Sequence, residues 1–277
     1  MNKLRHLEIE ITNKCNLACS ICPHHQMKRE QGFMSWDTLE NTMKGIPKDG
    51  IKRSCYMHMI GEPLLHPNLI PMIEYVSDHN FFTSISTNGM LLDEKMSKNL
   101  LNSKVSEITL ALDSLKEKTY NKIRVKGDFK RVRHNIDNFL SLWFTSNKQK
   151  KVELQVVVNR LNVDEVNTFK SLYGWLDNET NGKLRIKEYS TFAGKTRGMQ
   201  PKEITPRRFK CSKLNNSMAV LWNGDVSICC RASEGECLIG NINKETLGDI
   251  WHGKKMANYR LALKNKEFDL IPLCKDC

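Results

Sequence analysis

Six times in its first two thirds the chain sets a short run of β-forming residues beside a stretch of helical periodicity, and this alternation constrains the fold more than any other feature. The runs Leu7–Thr12, Cys55–Ile60, Phe82–Thr87, Glu107–Leu112, Val152–Val158 and Leu184–Tyr189 read as strands. Between them, Trp36–Gly45, Asn68–Asp78, Asp93–Asn102, Glu117–Val125, Phe129–Trp143 and Asp164–Leu176 read as helices. Strands separated by helices pair in parallel through right-handed crossovers. Six such units can curl into a partial (β/α)6 barrel, with function at the C-terminal ends of the strands, or lie as an open doubly wound sheet. The alternation alone leaves both open.

The texture changes after Tyr189. Ser190–Lys210, rich in Gly, Lys, Thr and Pro, reads as a linker. Met218–Trp222 and Asp225–Ile228 then flank Asn223-Gly224, a hairpin signal because a tight hairpin turn needs positive φ at its central residues. One helix is expected over Leu247–Leu263, and the chain ends in a cysteine pair. Residues 211–277 are too few to bury a large core, so this region is expected to need a metal staple.

The first residues carry neither the apolar stretch nor the cleavage site of a signal peptide, and no apolar run approaches the roughly 18 residues of a membrane span. A cytoplasmic enzyme without a membrane partner is the expectation. In a reducing compartment, ten cysteines argue for metal or catalysis rather than disulfides. The net charge of +12 gathers at Lys116–Arg133 and Lys202–Lys213. Such stretches read as solvated helix faces and linker, or as attraction for an anionic substrate. They carry too little aromatic interleaving to argue for nucleic acid.

Cys15-x3-Cys19-x2-Cys22 follows the first strand on a loop with room to wrap a cuboidal cluster. Three thiolates on a four-iron core leave one iron without a protein ligand, and an open metal position can bind a small molecule directly. A chance triplet or a three-thiolate zinc site would present the same residues.

Three further segments, each just after a strand, join the triplet: Gly61-Glu62-Pro63, Ser86-Thr87-Asn88-Gly89, and Leu112-Asp113-Ser114 running on to Tyr120, Ile123 and Arg124. Together they resemble the radical SAM superfamily from Cys15 to about Tyr189. The resemblance implies the partial barrel, and a [4Fe-4S] cluster on Cys15, Cys19 and Cys22 that reductively cleaves S-adenosylmethionine (SAM). Gly61, Glu62 and Pro63 stand at the family's GGEP motif, whose residues hold the methionine amino end of SAM. Ser86 and Asn88 fall in the ribose-contacting segment. Arg124 would meet the SAM carboxylate, which suits the two-pronged guanidinium. Three positions depart from the pattern. Ile60 replaces the first glycine of GGEP, Ala111 stands where a serine often touches SAM, and Ile21 replaces the aromatic residue beside the last cysteine.

Cys211-x17-Cys229 and Cys274-x2-Cys277 make a four-thiolate set whose ligand type suits zinc as well as iron–sulfur. Around it, Leu221-Trp222-Asn223-Gly224-Asp225, Cys229-Cys230, Gly240-Asn241-Ile242 and Ile250-Trp251 resemble the SPASM/Twitch auxiliary domain. In the short Twitch form this spacing implies one auxiliary [4Fe-4S] cluster on Cys211, Cys229, Cys274 and Cys277. It also matches small radical SAM dehydrogenases of aminocyclitol pathways. Of the other cysteines, Cys55 reads as a buried small hydrophobe and Cys237 as an exposed thiol. Cys230 reads either as a packed member of the doublet or as a hydrogen donor to a substrate radical. His24, His25 and His58, near the expected site, read as structural.

The expectation is thus a radical SAM core over residues 1–195 and a SPASM/Twitch domain over 196–277, with 196–210 as linker. The expected activity is hydrogen abstraction from a C–H of a polar, sugar- or aminocyclitol-like small molecule, ending in dehydrogenation or epimerisation. An external donor such as flavodoxin or ferredoxin would supply the electron. The alternative is a peptide-modifying maturase or epimerase. Only fourteen residues precede Cys15, so it would need a separate leader-binding partner. A non-catalytic iron–sulfur electron carrier is the remote rival, and the SAM-type segments argue against it.

Overall fold

The computed structural model describes residues 3–46, 50–146, 149–201 and 211–277. Its parallel strands are β1 (His6–Ile9), β2 (Arg53–Tyr56), β3 (Phe81–Thr87), β4 (Glu107–Ala111), β5 (Lys151–Val158) and β6 (Gly182–Glu188). Neighbours in space are neighbours in sequence, β6-β5-β4-β3-β2-β1. A doubly wound sheet requires a reversal of that order, so the partial (β/α)6 barrel is the fold and the open-sheet alternative falls away.

Side-chain alternation along the strands separates two environments. Leu7, Ile9, Cys55, Ile85, Ile108, Leu110, Val152 and Leu154 join one apolar core under the helices. The opposite face is polar: Glu8, Tyr56, Ser86, Gln155 and Lys187, with Ala111 from β4, line a cavity inside the barrel. Helices α1 (Trp36–Lys44), α2 (Leu69–Asp78), α3 (Glu94–Asn102), α4 (Glu117–Ile123) and α5 (Phe129–Thr145) fall close to the expected spans. Ser35, Asp93 and Asp128 start α1, α3 and α5 by accepting the backbone N–H three residues on. The helix expected over Asp164–Leu176 is a shorter α6 (Val166–Tyr173) flanked by 3-10 turns at Val163–Glu165 and Gly174–Asn178.

The C-terminal region continues the same sheet. After α7 (Lys213–Asn216), β7 (Ser217–Val220) pairs in parallel with β1, from His6 opposite Ser217 to Ile9 opposite Val220. β8 (Asp225–Ser227) and the unexpected β9 (Leu238–Asn241) extend it antiparallel to nine strands. The helix expected over Leu247–Leu263 is two, α8 (Leu247–His252) and α9 (Lys254–Lys264). They break at Gly253, whose backbone is extended. A short α10 (Pro272–Lys275) carries Cys274. Of the expected linker, 202–210 lies outside the described residues, as does most of the second basic stretch. No described helix is long and apolar enough to cross a membrane.

Candidate active site

A cavity of about 390 Å³ opens at the C-terminal ends of the strands. It brings together Cys15, Cys19, Cys22, Gly61, Glu62, Ser86, Asn88, Arg124 and Cys230. Pro63 sits behind it, opening the turn Pro63–Leu65. The three departures, Ile21, Ile60 and Ala111, all line the same cavity.

Backbone pairing fixes the cysteine loop. Ala18 and Ser20 donate to the carbonyls of Val125 and Ile123 at the C-terminal end of α4, each at 2.9 Å. Asn13 clamps the loop's return, donating to Glu30 O and accepting from Gly32 N, both at 2.9 Å. His24 and His25 serve structure: their rings lie 2.9 Å from the carbonyls of Asn13 and Cys22 respectively. Burial pushes the Cys15 thiol up to about 11 and the Cys22 thiol up to about 12. A bound cation such as iron reverses that preference, because the thiolate is its ligand.

Three of the expected SAM contacts turn out to be used by the protein itself. The Glu62 carboxylate accepts from Thr87 Oγ1 at 2.7 Å, Asn88 N at 2.8 Å and Leu64 N at 3.1 Å. It therefore ties the loop after β2 to the end of β3, and what Gly61-Glu62-Pro63 leaves for a ligand is mainly backbone. Gly61 is required by packing: a Cβ there would sit 2.3 Å from Thr12 O and 2.8 Å from Lys14 O. The Asn88 amide donates to Asn16 Oδ1 at 2.8 Å and lies 4.0 Å from Cys15 Sγ. Arg124 spends its fork on buried Asp113, through Nε at 2.7 Å and Nη2 at 2.6 Å. Its Nη1 reaches Cys19 Sγ at 3.7 Å. Asp113, with φ 62, is held in turn by Val157 N at 2.7 Å. A guanidinium locked this way presents its remaining N–H groups to the cavity in one orientation.

The far wall comes from β6 and the C-terminal region. Lys213 forms an ion pair with Glu8 of β1, and its Nζ lies 3.4 Å from Cys230 Sγ. Cys230 thus lines the cavity. Behind it, the Cys274 thiol is pushed up to about 12, by burial first and then by the nearby Cys229, Cys211 and Cys277. All four expected auxiliary ligands therefore lie near one another. Cys237, expected to be exposed, is buried and hydrogen-bonded to Tyr259. Among the described residues no three His, Cys, Asp or Glu side chains converge as ligands of one metal ion. Zinc draws its sulfurs to about 2.3 Å from a single point. On a four-iron core each thiolate meets its own iron, so the four sulfurs need not converge on one point.

Sequence comparison agrees with this geometry. The model of the radical SAM superfamily matches residues 9–168, and that of an iron–sulfur cluster-binding domain, SPASM, matches residues 211–277. The chain belongs to the radical SAM superfamily. Its cofactors are accordingly a SAM-binding [4Fe-4S] cluster, SAM and auxiliary iron–sulfur.

The tungsten-containing aldehyde ferredoxin oxidoreductase cofactor-modifying protein of Pyrococcus furiosus is 26% identical over 99% of this radical SAM chain and 87% of its own length. A probable GTP 3′,8-cyclase of Methanococcus maripaludis is 30% identical over 57% of the chain and 53% of its own length, so the chain spans about half of that relative. The structure of BtrN in complex with AdoMet and 2-DOIA matches with a TM-score of 0.72 at 22% identity, covering 100% of this chain and 94% of that one. Streptococcus suis SuiB bound to precursor peptide SuiA matches with a TM-score of 0.70 at 17% identity, covering 100% and 71%. These likenesses show the fold.

The sequence reading missed Asp113 as the partner of Arg124, Thr87 as the partner of Glu62, and the wall residues Glu8, Lys187, Lys213 and Arg231. The signal for Glu8 was present: a glutamate between Leu7 and Ile9 in a strand must face away from the apolar core.

Proposed function

We propose that this radical SAM protein abstracts a hydrogen atom from a C–H bond of a polar small molecule and completes the reaction as a dehydrogenation. One observation carries the reading. A single cavity has Cys15, Cys19 and Cys22 on one wall, and on the other Lys213, Cys230 and Arg231, which flank the auxiliary residue Cys229. Bound there, a [4Fe-4S] cluster and SAM supply one-electron cleavage and a carbon radical, chemistry that no side chain performs. The residues of the chain hold one C–H of the substrate between the walls and keep water away from it. The same cavity of about 390 Å³ has to take the cluster and SAM as well as the substrate, which supports a compact substrate over an extended peptide. The cysteine spacing shared with aminocyclitol dehydrogenases, and the likeness to BtrN bound to 2-DOIA, support a sugar- or cyclitol-like substrate. A flavodoxin or ferredoxin is the external donor in this reading.

Epimerisation is the second reading, and the Cys230 thiol in the cavity favours it. The two separate when reconstituted protein, SAM and reductant are given a panel of amino sugars and aminocyclitols in heavy water. Dehydrogenation yields a product two hydrogens lighter without solvent deuterium, formed equally well by Cys230→Ala. An inverted product carrying one solvent deuterium, absent with Cys230→Ala, would replace it with epimerisation.

A further inference from the structure

Most charges facing the cavity are already spent. Arg124 is held by Asp113, Lys213 by Glu8, and Glu62 by three protein donors. Glu188, on the same rim, is engaged as well. Lys187 and Arg231 differ: both line the cavity, and among the described residues neither has an ion-pair partner. The Lys187 side chain is solvent-accessible yet surrounded by protein, the situation of a group facing a cavity. Burial pushes its ammonium down, and Arg231, Arg185 and Lys213 push the same way. The carboxylate that most opposes them is Asp113, already paired with Arg124.

Arg231 is oriented from a neighbouring loop. Its guanidinium donates to the Ser190 hydroxyl and lies over the Phe192 ring at 5.4 Å. That loop is strained: Phe192 has φ 49 and Ala193 φ 59, ahead of Gly194 at φ 83. Bulky residues avoid this region, and a run of them persists where the surrounding structure holds it in place, most often at ligand sites.

We propose that Lys187 and Arg231 form an anion-binding subsite that takes a phosphate or carboxylate group of the substrate. It rests on the small-molecule reading above and adds the class of substrate. Two like charges in one cavity repel until a counter-charge arrives. A guanidinium and an ammonium together match the several oxygens of such an anion. The net charge of +12 draws anions toward the protein. Anchored there, the substrate leaves its other end toward the wall of Cys15, Cys19 and Cys22.

The test measures binding of inorganic phosphate and of acetate, by calorimetry at low ionic strength, to anaerobically reconstituted full-length protein saturated with SAM. Saturation keeps either anion out of the place of the SAM carboxylate. One or both anions are expected to bind with unit stoichiometry. Lys187→Met and Arg231→Met are each expected to weaken that binding about tenfold or more. Lys187→Arg should retain it, and Lys98→Met, an exposed helical lysine paired with Glu94, should not change it. Phosphate alone points to a phosphorylated substrate, and acetate alone to a carboxylic acid. Binding of neither anion, or equal binding by wild type and Lys187→Met, overturns the subsite. Release of 5′-deoxyadenosine by wild-type protein without any anion reads the radical chemistry separately. Its presence without anion binding sinks the subsite alone, and its absence sinks the functional reading.

Discussion

On the side of the cavity nearest Cys15, Cys19 and Cys22, the charged side chains already have protein partners, whereas on the side formed by β2, β6 and the C-terminal region several polar groups do not. Glu62, Asn88 and Arg124 are locked by Thr87, Asn16 and Asp113. Among the described residues, Lys187 and Arg231 have no carboxylate in an ion pair, and the buried His58 Nδ1 has no hydrogen-bond partner. A site for an invariant cofactor gains from being built in advance, since every polar group fixed beforehand is ordering that binding need not supply. A site that reads one particular substrate must keep donors and acceptors open, and an open polar group costs stability until the ligand satisfies it.

Cysteine substitutions break this contrast most severely. Cys19→Ala should abolish 5′-deoxyadenosine release while leaving about half of the roughly eight irons of two four-iron clusters. Removing Cys274 and Cys277 together should also lose half of the iron, but SAM cleavage should persist without product. Iron analysis paired with chromatography of the cleavage product separates the two outcomes. Cofactor cleavage at the normal rate by Cys19→Ala would show that the triplet does not hold the reactive cluster.

Glu62→Gln acts on the locked side and should be milder. The amide keeps one acceptor oxygen, but its NH2 group opposes one of the donors at Thr87, Asn88 and Leu64. Loss of a charge-assisted hydrogen bond at a buried site costs about 1.5–3 kcal/mol. The KM for SAM should therefore rise about tenfold, with stability reduced. Lys187→Met, on the open side, should leave the thermal midpoint unchanged or raise it. A larger loss of stability from Lys187→Met than from Glu62→Gln would reverse the comparison.

The barrel was legible because strand–helix alternation and two-residue periodicity are local properties, which is why all six core strands lie near their expected spans. The pairing of β7 with β1 was not, since residues more than 200 positions apart meet there and nothing local encodes their register. β9 follows no strong turn signal, and Gly253 looks locally like a tolerated helical glycine. The cysteines were legible because few side chains can hold iron, so spacing carries the information. The partners Asp113, Thr87 and Lys213 were not, because an aspartate, a threonine or one lysine among 43 basic residues acquires its role only from what the fold places beside it.

The smallest expected effect concerns His58, two residues beyond β2 and in the cavity lining. Its ring donates to the Ser84 carbonyl, and burial pushes it down to about 4 from the ordinary 6.5, so it is neutral near pH 7 with Nδ1 free to accept a substrate hydroxyl. The folded protein binds the proton less readily than the unfolded chain. Stability is therefore fully present above about 6.5, falls as the pH drops from there toward about 4, and levels off below. The slope for one site is at most about 1.4 kcal/mol per pH unit, and access through the cavity reduces it. His6, His24 and His66 are also lowered by burial and share the trend, so the informative quantity is the difference between proteins. Thermal midpoints of wild type and His58→Gln, taken anaerobically from pH 7.5 to 5.5, should converge as the pH falls, because only the wild type loses the His58 contribution. Parallel midpoints across that range would mean that His58 gains a proton without cost, and that its Nδ1 is not the open acceptor that sets this wall apart from the SAM side.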